Sequence, residues 1–207
     1  VSMSFGTIQT NDVNTAISNA LNSGCVLVAA AGNSNTAVGY PANVDGVIAV
    51  GAIDRCGIRS GKANITGSCD PWSFNASSYG SRLDVVASGS SVYTTNINGT
   101  YTSSFGGTSA ACPMVAGVAA LILSVNPNLT PQIVREIICT TAQKLDHYAS
   151  QFQTDPQHPY GTWYEEVGYG MVDSYASVKA AQCYGTTLPL VSGVIQQYMS
   201  PWTTPLR

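Results

Sequence analysis

The chain is short of charge. Its 207 residues include 8 Lys or Arg and 11 Asp or Glu, so 9% of the sequence is charged and the net charge is −3, where about a quarter charged is usual. A nucleic-acid partner is excluded on that ground, because neutralising phosphates takes clustered cations. Histidine is scarcer still, with only His147 and His158. No run approaches 18 consecutive apolar residues, so no membrane span is expected, and the six cysteines have no zinc-site spacing. There is no internal repeat. The opening residues Val1-Ser2-Met3-Ser4-Phe5-Gly6 lack both an initiator Met and the basic and apolar regions of a signal peptide. Residue 1 is therefore not expected to be the start of the gene product.

What is present describes a folded globular chain: 44% hydrophobic residues, 20 Gly and 10 Pro. At about 150 residues per domain, the length accommodates one domain and an extension. Polarity comes from Ser, Thr and Asn, and together with six Cys this points to a secreted or otherwise extracytoplasmic protein.

Val13, Ala16, Ile17, Ala20 and Leu21 fall at helical spacing, predicting an amphipathic helix over 11–24, capped by Asn11 or Asp12 and ended by Gly24. CVLVAAA (25–31), GVIAVGAI (46–53) and LDVVA (83–87) are unbroken apolar runs, as parallel strands buried on both faces require. Helix and buried strands in this order predict an α/β fold with a mainly parallel sheet. Residues 55–81 read as a long surface loop bracketed by Cys56 and Cys69, the expected disulfide; Cys139 with Cys183 is a second candidate pair, and Cys25 and Cys112 read as buried thiols. Asn98-Gly99 between Thr- and Tyr-rich arms predicts a type I′ hairpin over 92–105. Residues 107–124 are apolar on every side and predict a core helix with Pro113 in its first turn. Thr130-Pro131 opens a helix over 131–145, and Asp173 caps one over 174–182. From about residue 185 the chain becomes irregular and Pro-bearing. Residues 1–184 form the domain, and 185–207 read as a tail or a linker to a further module.

The chemistry concentrates in Gly106-Gly107-Thr108-Ser109-Ala110-Ala111-Cys112-Pro113. A Gly pair delivers Ser109 to the start of a helix, where the dipole is positive and backbone N–H groups can meet an oxyanion. Ser109 in that place also suits an N-cap, and Ala111 breaks the G-x-S-x-G pattern of an α/β-hydrolase elbow. Asn33 follows a buried strand at its carboxyl end, where open α/β sheets place their sites. Its amide can donate to an oxyanion, or it can be a turn residue after Gly32. Cys112 as nucleophile lacks a nearby His. Four N-x-S/T sites start at Asn64, Asn75, Asn98 and Asn128.

SMSFG (2–6), VLVAAAGN (26–33), GYPA (39–42), VIAVGAID (47–54), LDVVASG (83–89) and GGTSAACPMVAGVAALIL (106–123) resemble the subtilisin-like serine proteases over about residues 1–183. The resemblance implies a three-layer α/β sandwich, incomplete at its N-terminus. It implies Ser109 as the nucleophile of a serine endopeptidase, and Asn33 with the Ser109 N–H as the oxyanion donors. Ser4, Phe5 and Gly6 would pair with an extended polypeptide substrate. Ala30, Ala31, Gly32 and Gly39 would wall the pocket for the side chain before the cut. Some subtilases hold a cation through backbone carbonyls in the region of 40–47 and Asp84; one carboxylate is a thin donor set for structural calcium, and Asp84 is expected to pair with Arg82 or solvent. No cofactor is required for the chemistry.

One departure matters. Subtilases order their triad Asp, His, Ser along the chain, and both histidines here follow Ser109 and read as surface residues. The Asp and His are therefore expected on a missing N-terminal part or a companion chain of the same protease, and this chain by itself is expected to be inactive. The alternative is a non-catalytic pseudo-protease that keeps the peptide-pairing strand Ser4–Gly6.

Overall fold

A computed structural model of the chain describes residues 1–61, 68–69 and 76–185. The three apolar runs form β2 (Leu27–Ala30), β3 (Val47–Ile53) and β4 (Val85–Ser88), and Ser2–Met3 adds a short β1. All pair in parallel in the order β1-β2-β3-β4, with Val28 opposite Ser2 and Ile48, and Val50 opposite Ala30 and Val85. Every residue of β3 is buried, as a strand covered on both faces must be.

Alternation along the strands divides the core. Val28, Ala30, Ile48, Val50, Ala52, Val85 and Ala87 face one way, against α2 (Thr108–Val125), α3 (Pro131–Thr140) and Ala181 of α4 (Ser174–Cys183). Leu27, Ala29, Val47, Ala49, Ile53 and Val86 face the other way, in the cluster that holds Ile17 of α1 (Asn11–Asn22). This is the α/β sandwich the sequence predicts. Truncating one enclosed side chain such as Ile48 or Ile122 costs about 2–5 kcal/mol, because the cavity only partly collapses.

Boundaries differ where local chemistry decides them. Thr10, not Asn11 or Asp12, caps α1, its hydroxyl accepting from Val13 N at 3.3 Å. Gly24 does end that helix, at φ +81°. Thr130 and Asp173 cap α3 and α4 as expected. α3 stops at Thr140 because Gln143 leaves it to exchange backbone hydrogen bonds with Met171, at 2.8 and 2.9 Å. The hairpin forms as β5 (Val92–Thr95) and β6 (Tyr101–Phe105), with Asn98 and Gly99 both at positive φ. Helix α2 buries only one face; Met114, Leu121 and Val125 are exposed. It is also long and apolar enough to cross a membrane by length and composition alone, although its inward face is part of the core.

The ends of the excursion over 55–81 are not surface: Ile58, Arg59, Ser60, Ser77 and Ser78 are buried. The Arg59 guanidinium bonds Asn35 Oδ1 at 2.9 Å and the Ser77 carbonyl, and lies 4.6 Å from the Tyr79 ring. Cys56 and Cys69 form the expected disulfide. Cys139 is not bonded to Cys183: it lies on the buried face of α3 with its thiol 3.9 Å from Asp84. Cys112 is buried and Cys25 half-buried. Asn64, Asn75 and the tail from 186 lie outside the described residues.

Two buried tyrosines set an alkaline limit. Burial pushes the Tyr148 and Tyr169 hydroxyls up to about 12 from an ordinary 10.0. The folded chain keeps these protons after the unfolded chain releases them, so the stabilisation is full below pH 10 and is lost as pH climbs to about 12. Lys144, lowered to about 8 by burial from 10.5, acts oppositely across pH 8 to 10.5. Above 10.5 the tyrosines dominate, and the urea midpoint should fall; a midpoint that rises there would contradict this.

Candidate active site

The site gathers at the carboxyl edge of the sheet. After β4, Gly89 donates to the Ile53 carbonyl at 2.9 Å, and its own carbonyl accepts from Gly107 N at 2.7 Å. A Cβ at Gly89 would lie 2.4 Å from Ala52 Cβ, so only glycine lets the chain pass here. Gly107 precedes α2 at φ +88°, the left-handed region that glycine tolerates, and a side chain there would press on the Asn33 amide. These contacts deliver Thr108 and Ser109 to the helix start beside the end of β2.

Asn33 is anchored by its oxygen. Oδ1 accepts from Thr108 N at 2.9 Å and from Thr108 Oγ1 at 3.0 Å, while Thr108 Oγ1 accepts from Gly32 N at 3.2 Å. The carbonyl end of the amide is thereby turned to the helix, which leaves Nδ2 with no acceptor among the described residues. In the first turn, Ala110 N and Ala111 N reach the Gly107 carbonyl at 2.9 and 3.4 Å, and Ser109 N has no backbone acceptor. Two donors, Asn33 Nδ2 and Ser109 N, are therefore left without an acceptor among the described residues, and Asn33 is held against Thr108, the residue before Ser109. Motif reading passed over Thr108, which is buried and holds Asn33 from two atoms.

Ser109 is half-buried, and its Oγ donates to the Ser4 carbonyl at 3.0 Å. Ser4, Phe5 and Gly6 run exposed beyond β1, with Phe5 54% exposed. Thr7 N ties this segment to the Tyr40 carbonyl at 3.2 Å, across from Gly39, whose N–H bonds the Ala31 carbonyl at 2.9 Å. Ala31 and Ala30 are core residues on opposite faces of the sheet, 0% and 7% exposed. Of the four residues expected to wall a pocket, only Gly32 and Gly39 therefore reach the surface.

No imidazole is bonded to Ser109. His158, expected on the surface, is buried: it stacks on Trp163 at 3.8 Å, with Nδ1 on Asp155 Oδ2 and Nε2 on the Ser81 carbonyl, each at 2.9 Å. Ser81 precedes β4 and Ser109 follows it, so His158 sits at the opposite edge of the sheet. His147 is exposed, edge-on to Tyr148.

Asp84 corrects another expectation. It is buried and pairs with Arg135, not Arg82: Oδ1 accepts from Arg135 Nε at 3.1 Å and Nη2 at 2.8 Å, and Oδ2 from Ala49 N at 2.9 Å. Burial raises its carboxyl against the pull of Arg135. Arg82 pairs instead with the exposed Asp45 at 2.7 Å. Both oxygens of Asp84 are occupied beside a guanidinium, so Asp84 with the 40–47 loop does not fit a hard cation. No cluster of three or more His, Cys, Asp or Glu arises among the described residues.

Fold and site together define an α/β protein whose polar constellation lies at the carboxyl edge of a parallel sheet, with a serine hydroxyl at a helix N-terminus. Residues 1–170 match the subtilase family, and the chain belongs to that family. It is 45% identical over 135 residues to subtilisin DY of Bacillus licheniformis, covering 63% of this chain and 44% of that protein. A calcium-dependent protease of Trichormus variabilis is 37% identical over 175 residues, covering 76% of this chain and 25% of the relative. A solved protease structure from Pseudoalteromonas arctica superposes with a TM-score of 0.63 at 30% identity, covering 85% of this chain and 48% of that one. The chain thus spans less than half the length of these relatives.

Proposed function

We propose that this chain supplies the nucleophile, the oxyanion donors and the substrate-pairing strand of a secreted serine endopeptidase. Ser109 Oγ attacks the scissile carbonyl, the amide C–N bond breaks with release of the protonated amine half of the peptide, and water then hydrolyses the acyl-enzyme. The developing oxyanion takes hydrogen bonds from Asn33 Nδ2 and Ser109 N. The substrate lies extended along Ser4–Gly6, held by main-chain hydrogen bonds. A hydroxyl without a base is a weak nucleophile, so the triad's His and Asp come from polypeptide preceding residue 1, in the same chain or on a companion chain. Intact mass of the denatured enzyme separates these two forms. The observation that carries the reading is that Asn33, bonded through its oxygen to Thr108 at the start of α2, and Ser109 N both keep a donor without an acceptor among the described residues.

The complete enzyme is expected to prefer bulky apolar or aromatic residues just before the cut. Gly32 and Gly39 leave space without charge, and Phe5 adds apolar surface. Asp45, the nearest acid in sequence, faces solvent in its pair with Arg82. A cationic head buried there would go unpaired, at a cost of several kcal/mol. Peptide-library profiling tests function and specificity together. No Ser109-dependent cleavage would sink the reading, and a kcat/KM optimum at Arg or Lys would overturn the account of the pocket.

A further inference from the structure

Pro113 does not lie in the first turn of α2, contrary to the expectation from sequence. With the helix starting at Thr108, Pro113 is past the first turn, and its N–H would have bonded the carbonyl four residues back. That carbonyl belongs to Ser109, and proline has no N–H to give. The nucleophile's own backbone is thus deprived of its helical partner. Ser4 supplies a replacement: its Oγ donates to the Ser109 carbonyl at 2.9 Å. In the reverse direction, the Ser4 carbonyl accepts from Ser109 Oγ at 3.0 Å.

We infer that Ser4 is a positioning residue for the nucleophile, its hydroxyl replacing the hydrogen bond that Pro113 removes and locking the substrate-pairing strand to the start of α2. This rests on the reading of Ser109 as nucleophile. The two bonds have different fates. When substrate pairs with the strand, the Ser4 carbonyl is wanted by a substrate N–H, and Ser109 Oγ must turn away from it to attack. The bond from Ser4 Oγ to the Ser109 carbonyl survives that exchange and keeps the attacking residue in register with the bound peptide. The strand has few other ties here, since β1 is two residues long and the next backbone bond is Thr7 to Tyr40.

The test uses the full-length protease carrying Ser4→Ala, Pro113→Ala, both changes, or Ser4→Thr, with kcat and KM measured on a peptide substrate. Thermal melting confirms that each variant is folded. Ser4→Ala should lower kcat about three- to tenfold, the range for one neutral hydrogen bond, with KM within about twofold because the Ser4 carbonyl remains. Ser4→Thr should restore kcat. Pro113→Ala gives the Ser109 carbonyl a backbone donor again, so Ser4→Ala should cost less than about twofold in that background. The inference is overturned by an equal loss in both backgrounds, by a loss confined to KM, or by no loss at all. Full activity after Ser109→Ala would instead overturn the reading on which it rests. A dead Ser109→Ala enzyme beside an unaffected Ser4→Ala enzyme overturns this inference alone.

Discussion

Ser109→Ala in the complete protease is expected to abolish peptide hydrolysis and fluorophosphonate labelling. In subtilisin itself, losing the nucleophilic serine costs about 10⁶ in kcat, and the same order is expected here. The loss is expected to be that large because the neighbouring hydroxyls are engaged in holding the site, Thr108 Oγ1 on Asn33 Oδ1 and Ser4 Oγ on the Ser109 carbonyl. What remains should be the small acceleration from the oxyanion donors and from binding. The variant should fold normally: Ser109 is half-buried, and its Oγ makes one exposed hydrogen bond, to the Ser4 carbonyl. Labelling of a different serine would refute the assignment.

Asn33→Ala should label slowly and lose about 10²–10³ in kcat with little change in KM, a range also measured on subtilisin. In the proposed mechanism the amide donates to charge that exists only in the transition state, so ground-state binding should survive its removal. Structure adds a complication, because Asn33 Oδ1 also accepts from the buried Thr108 N and Oγ1. Deleting the amide leaves two buried donors without their acceptor, at about 1–3 kcal/mol each if water does not reach them. The melting temperature should therefore fall as well, which Ser109→Ala should not reproduce. A KM increase that accounts for the whole loss in kcat/KM would assign Asn33 to substrate binding instead.

The sheet was legible because parallel strands buried on both faces are written as unbroken apolar runs, and VIAVGAI could hardly serve otherwise. The position of Ser109 at a helix start, that of Asn33 after β2 and the hairpin tip at Asn98-Gly99 were legible because each depends on a short local pattern. Contacts between distant segments left no such trace. His158 looks like a residue of a polar turn, and only the fold brings Trp163 against its ring and the Ser81 carbonyl to its Nε2. Asp84 stands two residues from Arg82 in sequence, yet the guanidinium that reaches it comes from α3. The boundary of α2 was legible to within one residue, but Pro113 does not fall in its first turn as expected: five residues after Thr108, it lies where a backbone N–H would bond the Ser109 carbonyl.

The disulfide has a non-covalent double. Asp54, buried at the end of β3, accepts from Cys56 N and Ile58 N through Oδ1 at 2.9 and 3.0 Å, and from Ser68 Oγ and Cys69 N through Oδ2 at 2.9 and 3.0 Å. One carboxylate thus grips the backbone on both sides of the bridge. With both backbone segments held by Asp54, closing the reduced pair in the folded chain should behave as an intramolecular reaction at high effective molarity. Oxidation can then come last, after the sheet has formed, with little risk of capturing a wrong partner among the other four cysteines. The bridge records a geometry that Asp54 has already imposed.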